Sequence, residues 1–319
     1  MKPKLKSIMI IIFFLLILLS FLFLPKDTIN SVLLGLNIWL YNVFPSLFPF
    51  FIISELLINY GFNDFLSEFF RNFMSLFGLS GNASFAFLGS IFSGFPSGSK
   101  YTRQLLDNNI ISDDEANHLI RFTHFSNPLF IIGTIGILLN NIFVSYLILI
   151  SHYLGNIIIG ICFRKKKIKN KYKVSFKKAI NLMHNKRINN KNNFITILTD
   201  AIYKTIDILI LLLGTIIIFL ILSNLITLLP VNDNLILFSK GILEMTQGIK
   251  FVSNSSLSLL IKTILITFFI SFGGLTVHLQ VSSIISNSKI KYKNFLIARM
   301  FHSFISIILV YILFNIFIN

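Results

Sequence analysis

The chain has 319 residues, a mean hydropathy of +0.80, 55% hydrophobic and only 13% charged residues, with 36 Phe. Apolar segments recur along the whole length, many of them long enough for a bilayer core of about 30 Å. That pattern excludes a soluble domain and indicates an all-α polytopic membrane protein in contact with the lipid bilayer. The formal charge of +16 comes without any nucleic-acid-binding signature, and the single Cys162 excludes an intramolecular disulfide or a cysteine-based metal cluster.

The N-terminus, MKPKLK, precedes an apolar run over Ile8–Leu24. No small-x-small cleavage site follows it, so residues 1–28 are expected to form a retained signal anchor with its N-terminus inside. The second span lies within Ile29–Asn59, where Pro45 and Pro49 each remove a backbone donor and predict a kink or local unwinding. Residues Asn63–Phe77 alternate charge and Phe at helical spacing, as in a helix lying in the membrane interface. Glu55 is expected at that interface too, and Asp207 beside Lys204.

The apolar run Ala83–Phe92 is too short to span alone. It breaks at GFPSG (Gly94–Gly98), and the return, Ser99–Asp107, is polar on several faces. Ser112 and Glu115 have capping-box spacing and predict a helix running through Arg121 and His124 to FSNP (Phe125–Pro128), then into the apolar LFIIGTIG. A span over Ile142–Phe163 follows. Arg164–Lys191 then holds twelve Lys/Arg and no acid, a positive-inside loop that also suits anionic lipid. The second half is expected to contain a span over Thr205–Leu229, an interfacial segment over Leu235–Ile249, a short run Thr263–Phe272 broken at GGLT (Gly273–Thr276), and a last span over Phe295–Phe317.

If Ala83–Leu106 crossed fully, the basic loop would fall outside. A re-entrant hairpin at Gly94–Gly98 removes one crossing and returns the loop, with the N- and C-termini, to the cytoplasm. The two halves then read as inverted repeats (29–163 and 196–319, joined by the basic loop 164–195), each with a glycine-broken apolar run followed by Arg-x-x-His: six full spans and two re-entrant hairpins. Gly94 to Arg121 is 27 residues and Gly273 to Arg299 is 26. Paired glycine interruptions of this kind point to a solute site near the midplane.

The candidate pathway residues are therefore Ser93, Gly94, Pro96, Ser97, Gly98 and Asn127 in the first half, and Gly273, Gly274, Thr276, His278 and Gln280 in the second. Each break also admits a purely structural role, letting two helices pack. Arg121/His124 and Arg299/His302 place a guanidinium and an imidazole at i, i+3, which fits interfacial snorkelling or gating. GFPSGSK lacks the spacing of a phosphate loop. No zinc-ligand spacing, nucleophile elbow or paired carboxylates occur, so neither a metal, a cofactor nor an enzymatic activity is expected.

SGFPSGSK (Ser93–Lys100), SNPLFIIGT (Ser126–Thr134) and FGGLTVHLQ (Phe272–Gln280) resemble the sporulation integral membrane protein YlbJ family of endospore-forming Firmicutes, over nearly the whole chain from about Asn30. Members of that family are similar to the Gate, or nucleoside-recognition, membrane domain. The resemblance implies a mother-cell membrane protein needed for heat-resistant spores. It carries no ligand residues with it. A transporter or channel for an unidentified small solute or ion is the leading expectation, and a non-transporting scaffold for spore assembly the alternative. Solute and oligomeric state are not legible.

Overall fold

The computed structural model describes residues 3–165, 174–190, 192–227, 230 and 232–318; the basic-loop positions 166–173 and 191, and the expected span end at 228–229, lie outside it. The described residues contain helices and no strand. Helix α1 is Pro3–Phe23, and α2 runs over Pro25–Asn59 with a π turn at Trp39–Val43. That wider turn stands immediately before Pro45, where the proline withholds a donor from the ladder. The amphipathic α3 (Phe62–Ser75) follows.

The first interruption is a hairpin. α4 (Ser84–Ser93) turns at Gly94–Pro96 into α5 (Ser97–Asp107). Phe85 and Tyr101 pack edge to face at 5.4 Å, and Asn82 donates to the Ile110 carbonyl at 3.0 Å, so both legs start and finish at the same end of the bundle. A straight helix would hold residues 16 apart at about 24 Å. α6 (Asp113–Leu119) begins with the expected capping box, Ser112 and Glu115 bonding each other's backbone.

The helix expected to carry Arg121 and His124 on one face does not form. α6 ends at Leu119, and residues 123–127 form no regular secondary structure. The helix resumes as α7, a π turn at Phe130–Ile135 continued by Gly136–Leu138. Pro128 explains the break in part, since it biases Asn127 away from the helical region. The whole stretch crosses the bundle antiparallel to α8 (Ile142–Cys162). Arg121 lies at Phe163, the His124 carbonyl accepts from Asn156 (2.6 Å), and Gly136 lies against Ser145.

In the second half, α9 (Phe176–Asn189) packs on α3, with Phe176 against Phe65 and Phe69 and Lys178 on Glu68 at 3.3 Å. α10 (Phe194–Ile226) runs antiparallel to α2, through Trp39 to the Leu209 carbonyl (2.7 Å) and Asn224 to Ser31 (2.6 Å). It starts well before the expected Thr205 because Asn193 caps it.

The second half corrects the expected arrangement. Leu235–Ile249 does not lie along the interface. α11 (Asp233–Leu243) and α12 (Met245–Asn254) form a hairpin whose tip is Glu244. Its legs touch backbone to backbone, for a Cβ on Gly248 would sit 2.2 Å from the Gly241 Cα. Conversely, the run broken at Gly273 does not turn back. α13 (Leu259–Phe272) and α14 (Gly274–Ile284) together make one interrupted crossing. Ile266 and Ile270 belong to one apolar core with Phe314, while Val277, Val281 and Ile285 belong to the other core with Phe77 and Phe122. Gly273 and Gly274, at φ +95° and +64°, interrupt the helix without reversing it.

The last helix, α15 (Tyr292–Phe317), is antiparallel to α8: Phe301 meets Phe163 and Phe317 meets Phe143. Phe317 therefore ends opposite the basic segment. The C-terminus and that segment do not share a side, contrary to expectation. Each half has a long helix, a hairpin, an interrupted crossing and a final helix, running in opposite senses. The hairpin tip Gly94–Gly98 pairs in this order with Glu244, and the Gly273 break pairs with residues 123–127.

Candidate solute site at the bundle centre

The four interruptions meet. Tip one seats on the first broken crossing, since a Cβ on Gly94 would lie 2.8 Å from the Asn127 nitrogen and one on Gly98 would lie 1.8 Å from the Thr123 carbonyl oxygen. Gly94 adopts φ +76°, ψ −178°, a conformation open to glycine alone. Tip two seats on the second broken crossing through Thr276, which donates to the Leu243 carbonyl at 2.9 Å, and through Gly274 beside the Met245 nitrogen. The two breaks meet at His124, which stacks on Phe95 of tip one at 4.6 Å and points Nε2 at Gly273. Phe95 packs against both apolar cores.

Non-helical backbone inside the bundle needs hydrogen-bond partners, since its N–H and C=O groups have none within a helix. Helix α8 supplies them. Ser126 N–H donates to His152 Nε2 (3.0 Å), Asn156 donates to the His124 carbonyl, and the Tyr153 hydroxyl donates to the Ser126 carbonyl (3.0 Å). The Ser126 N–H can only donate, so His152 carries its proton on Nδ1 and gives it to Ser271 Oγ (3.1 Å) in the second broken crossing. His302 Nε2 faces the His152 carbonyl at 2.8 Å and must be the donor. Its Nδ1 then accepts from Arg299 Nη1 at 2.7 Å, with the Ser271 carbonyl oxygen 3.1 Å from the same nitrogen. Both rings are held as neutral imidazoles by these bonds.

Arg299 is fully buried. Beyond His302, it donates to the Arg121 carbonyl and to Asn156 Oδ1 (3.1 Å). No carboxylate pairs with it among the described residues. Snorkelling thus fails for Arg299 and His302, which keep their expected i, i+3 geometry but lie at 0% exposure in the centre. The Arg121 side chain is elsewhere, at the basic end, on Asn294 Oδ1 (2.7 Å) and over the Phe163 ring.

Of the other expected residues, Ser93 joins Tyr101 and Ser54 in a buried hydroxyl chain. Pro96 accepts from Ser99 Oγ (2.6 Å) at the start of α5. Ser97 is fully buried with its hydroxyl unpartnered, as is His124 Nε2. Asn127 accepts from the Leu129 N–H (2.8 Å) and donates its amide to the Phe92 carbonyl of α4 (3.4 Å), so its amide faces the first hairpin. His278 is committed to Tyr292 and the Phe272 carbonyl, and Gln280 to Thr215 on α10 (3.0 Å). Lys100, which closes the phosphate-loop-like stretch, is buried 3.5 Å from Glu55 and 3.4 Å from the Phe51 carbonyl. Glu55 is therefore not interfacial. Lys204 lies 3.9 Å from it, an arrangement other than the expected pairing with Asp207.

Sequence reasoning missed His152, Asn156, Arg299's role in the centre and the carboxylate of Glu244. His152 and Asn156 stand four apart in an otherwise apolar span, the spacing of one helical face, and that was the available signal. Outside the membrane-spanning segments, burial and the nearby Arg121 guanidinium push the His118 imidazole down to about 4.

Two hairpins and two interrupted crossings in opposed halves, closing on a buried polar centre, define a polytopic α-helical membrane protein with inverted-repeat architecture. A family model described as nucleoside recognition, Gate, matches residues 40–150, which include tip one and the first broken crossing. The chain belongs to the sporulation integral membrane protein YlbJ family. It is 33% identical over 326 aligned positions to the Bacillus subtilis (strain 168) protein "Sporulation integral membrane protein YlbJ", covering 93% of this chain and 80% of that relative. No solved structure matches the chain.

Proposed function

We propose that the protein is a sporulation-associated transporter or channel moving a small solute across the cytoplasmic membrane, between the two hairpin tips. It performs no chemistry of its own. The observation that carries this reading is the convergence of four backbone interruptions on one buried polar centre, since non-helical backbone within a membrane is tolerated where it is buried in protein or lines a cavity. The opposed halves supply two gates, and rocking one against the other exposes the centre to each side in turn. The two segments 29–163 and 196–319 act as the moving repeats. The positive-inside rule puts the end bearing Arg164, Lys165, Lys186, Arg187 and Lys289 in the cytoplasm, together with the N-terminus of α1. The C-terminal end of α15 then faces the opposite compartment.

The test uses a mild change at the centre. Ser97→Ala removes a buried hydroxyl with no protein partner, so folding and membrane abundance should be unchanged. A pathway residue should nevertheless lose its function, read as heat-resistant spores from a strain carrying the variant at the native locus. Normal spores from Ser97→Ala, with defective spores after deletion of 174–190, would instead make the protein a scaffold acting through its basic end.

A further inference from the structure

Three acidic side chains are buried among the described residues: Glu55, Glu68 and Glu244. Glu55 has Lys100 and Lys204, and Glu68 has Arg71 and Lys178. Glu244 has no cation. It stands at the tip of the second hairpin, 5% exposed, and accepts from the Thr246 hydroxyl, the Gln247 N–H (2.9 Å) and the Thr246 N–H. Those bonds make it the N-cap of α12. The other side-chain caps are Ser112, Asn141, Ser175, Asn193, Asn232 and Ser258, all neutral. A neutral residue would cap α12 equally well. The one ionisable cap lies where ionisation is most costly.

A second observation places a polar cavity one helical turn from this carboxyl, which does not itself line it. A cavity of about 340 Å³ opens beside α2 and α10 at the end opposite the basic segment. Exposed Asp27, Asn30 and Thr227 line it, and buried Ser31 and Lys240 complete it. Lys240 is one helical turn before Glu244, and its carbonyl accepts the Glu244 N–H at 2.8 Å. Its size and polar lining suit ordered water.

We infer that Glu244 is a proton-binding site that couples protonation to movement of the second hairpin. The carboxylate takes one proton from water when the tip is open and becomes a neutral carboxyl, which tolerates burial against Gly274. Loss of that proton restores the anion, which is stable only when wetted, and the tip lifts away from the second broken crossing. The charged or titratable groups on the elements around it are Lys240 on α11, Lys250 on α12, Lys262 on α13, His278 on α14, and Asp200, Tyr203, Lys204 and Asp207 on α10. None forms an ion pair with Glu244. The inference rests on the hairpin tips being the moving gates of the proposed pathway.

The test follows the exposure of Met245, buried beside Gly274, as Met245→Cys in full-length protein with Cys162→Ser, reconstituted in liposomes. Its modification rate by a water-soluble thiol reagent is divided by that of the exposed Asn140→Cys, which corrects for the reagent's own reactivity, and Glu244→Gln carrying the same Met245→Cys controls for ionisation of the thiol. The ratio should rise at least about tenfold from about pH 5 to about pH 8, a population shift of about 1.4 kcal/mol. In Glu244→Gln, with unchanged elution and melting temperature, it should stay low throughout. An infrared carboxyl band that appears on acidification should also be missing from that variant. An unchanged ratio across pH, the same rise in Glu244→Gln, or a ratio that follows sodium at fixed pH would each overturn the assignment. Loss of heat-resistant spores in Ser97→Ala alongside a pH-independent ratio would remove the coupling while leaving the pathway intact.

Discussion

Arg299, on the last helix, donates from its guanidinium to the backbone carbonyl of Arg121, 178 residues earlier and just before the non-helical segment of the first broken crossing. The two Arg-x-x-His motifs are thus joined, but through a side chain and a carbonyl, and only the second retains helical geometry. This bond ties the two halves of the molecule together at the point where the backbone of one has left the helix.

Replacing Arg299 should therefore cost more than replacing any residue of the basic end. Arg299→Leu leaves the Arg121 carbonyl, Asn156 Oδ1 and His302 Nδ1 without a donor. The expected loss is about 2–4 kcal/mol, measured as the fall in melting temperature of purified protein. Arg299→Lys keeps the charge but has no planar fork to reach three acceptors, so it should recover less than half of that loss.

Glycine substitutions separate seating from propensity. Gly98→Ala drives a methyl into the Thr123 carbonyl, and Gly94→Ala strains a backbone at φ +76° besides meeting Asn127. Both should unseat tip one and abolish function at normal abundance. Gly133 and Gly214 face open space, and alanine at either should be silent or stabilise by up to about 1 kcal/mol. Sensitivity equal to that of Gly98 at these two positions would mean that the tip contacts are unimportant.

Two features were legible in the sequence for physical reasons and two were not. The first hairpin was legible because the return Ser99–Asp107 is too polar to continue through lipid, and one crossing fewer brings the basic loop to the cytoplasm. The capping box at Ser112 and Glu115 was legible because both partners are local. The second hairpin was not, because Lys240, Glu244 and Gln247 read as interfacial polarity, whereas close contact of Gly241 with Gly248 lets these legs enter the bundle together. The Gly273 break reads as a tip in the sequence because glycine permits interruption without fixing the direction of the next helix. That direction comes from long-range contacts such as Gln280 with Thr215.

Thiol labelling of side-specific cysteines checks this revised topology. In a Cys162→Ser background, cysteines at the exposed positions Asn108 and Asn287 should label from one side, and those at Asn140 and Ser256 from the other. A second hairpin at Gly273 would put Asn287 with Ser256 instead.

The pH dependence of stability should come partly from His118. In the unfolded chain its imidazole takes a proton below about pH 6.5, whereas in the folded protein burial holds protonation off to about 4. The unfolded state binds more protons across that window, so stability is fully present above it and lost as pH falls. By about pH 5 the loss should reach about 2 kcal/mol. His118→Gln, which retains a donor for the Phe77 carbonyl, should flatten the melting-temperature curve between pH 7 and 5.

The central claim is that the place where tips and breaks meet is entered by water and solute during function. Ser97→Cys, fully buried here, is its direct probe, with Ala86→Cys, equally buried in the neighbouring leg of the hairpin, as reference. In sporulating cells or reconstituted vesicles, a small charged thiol reagent should modify Ser97→Cys at least about tenfold faster than Ala86→Cys. That modification should also eliminate function. Equal, negligible labelling at both positions would contradict a pathway through the centre.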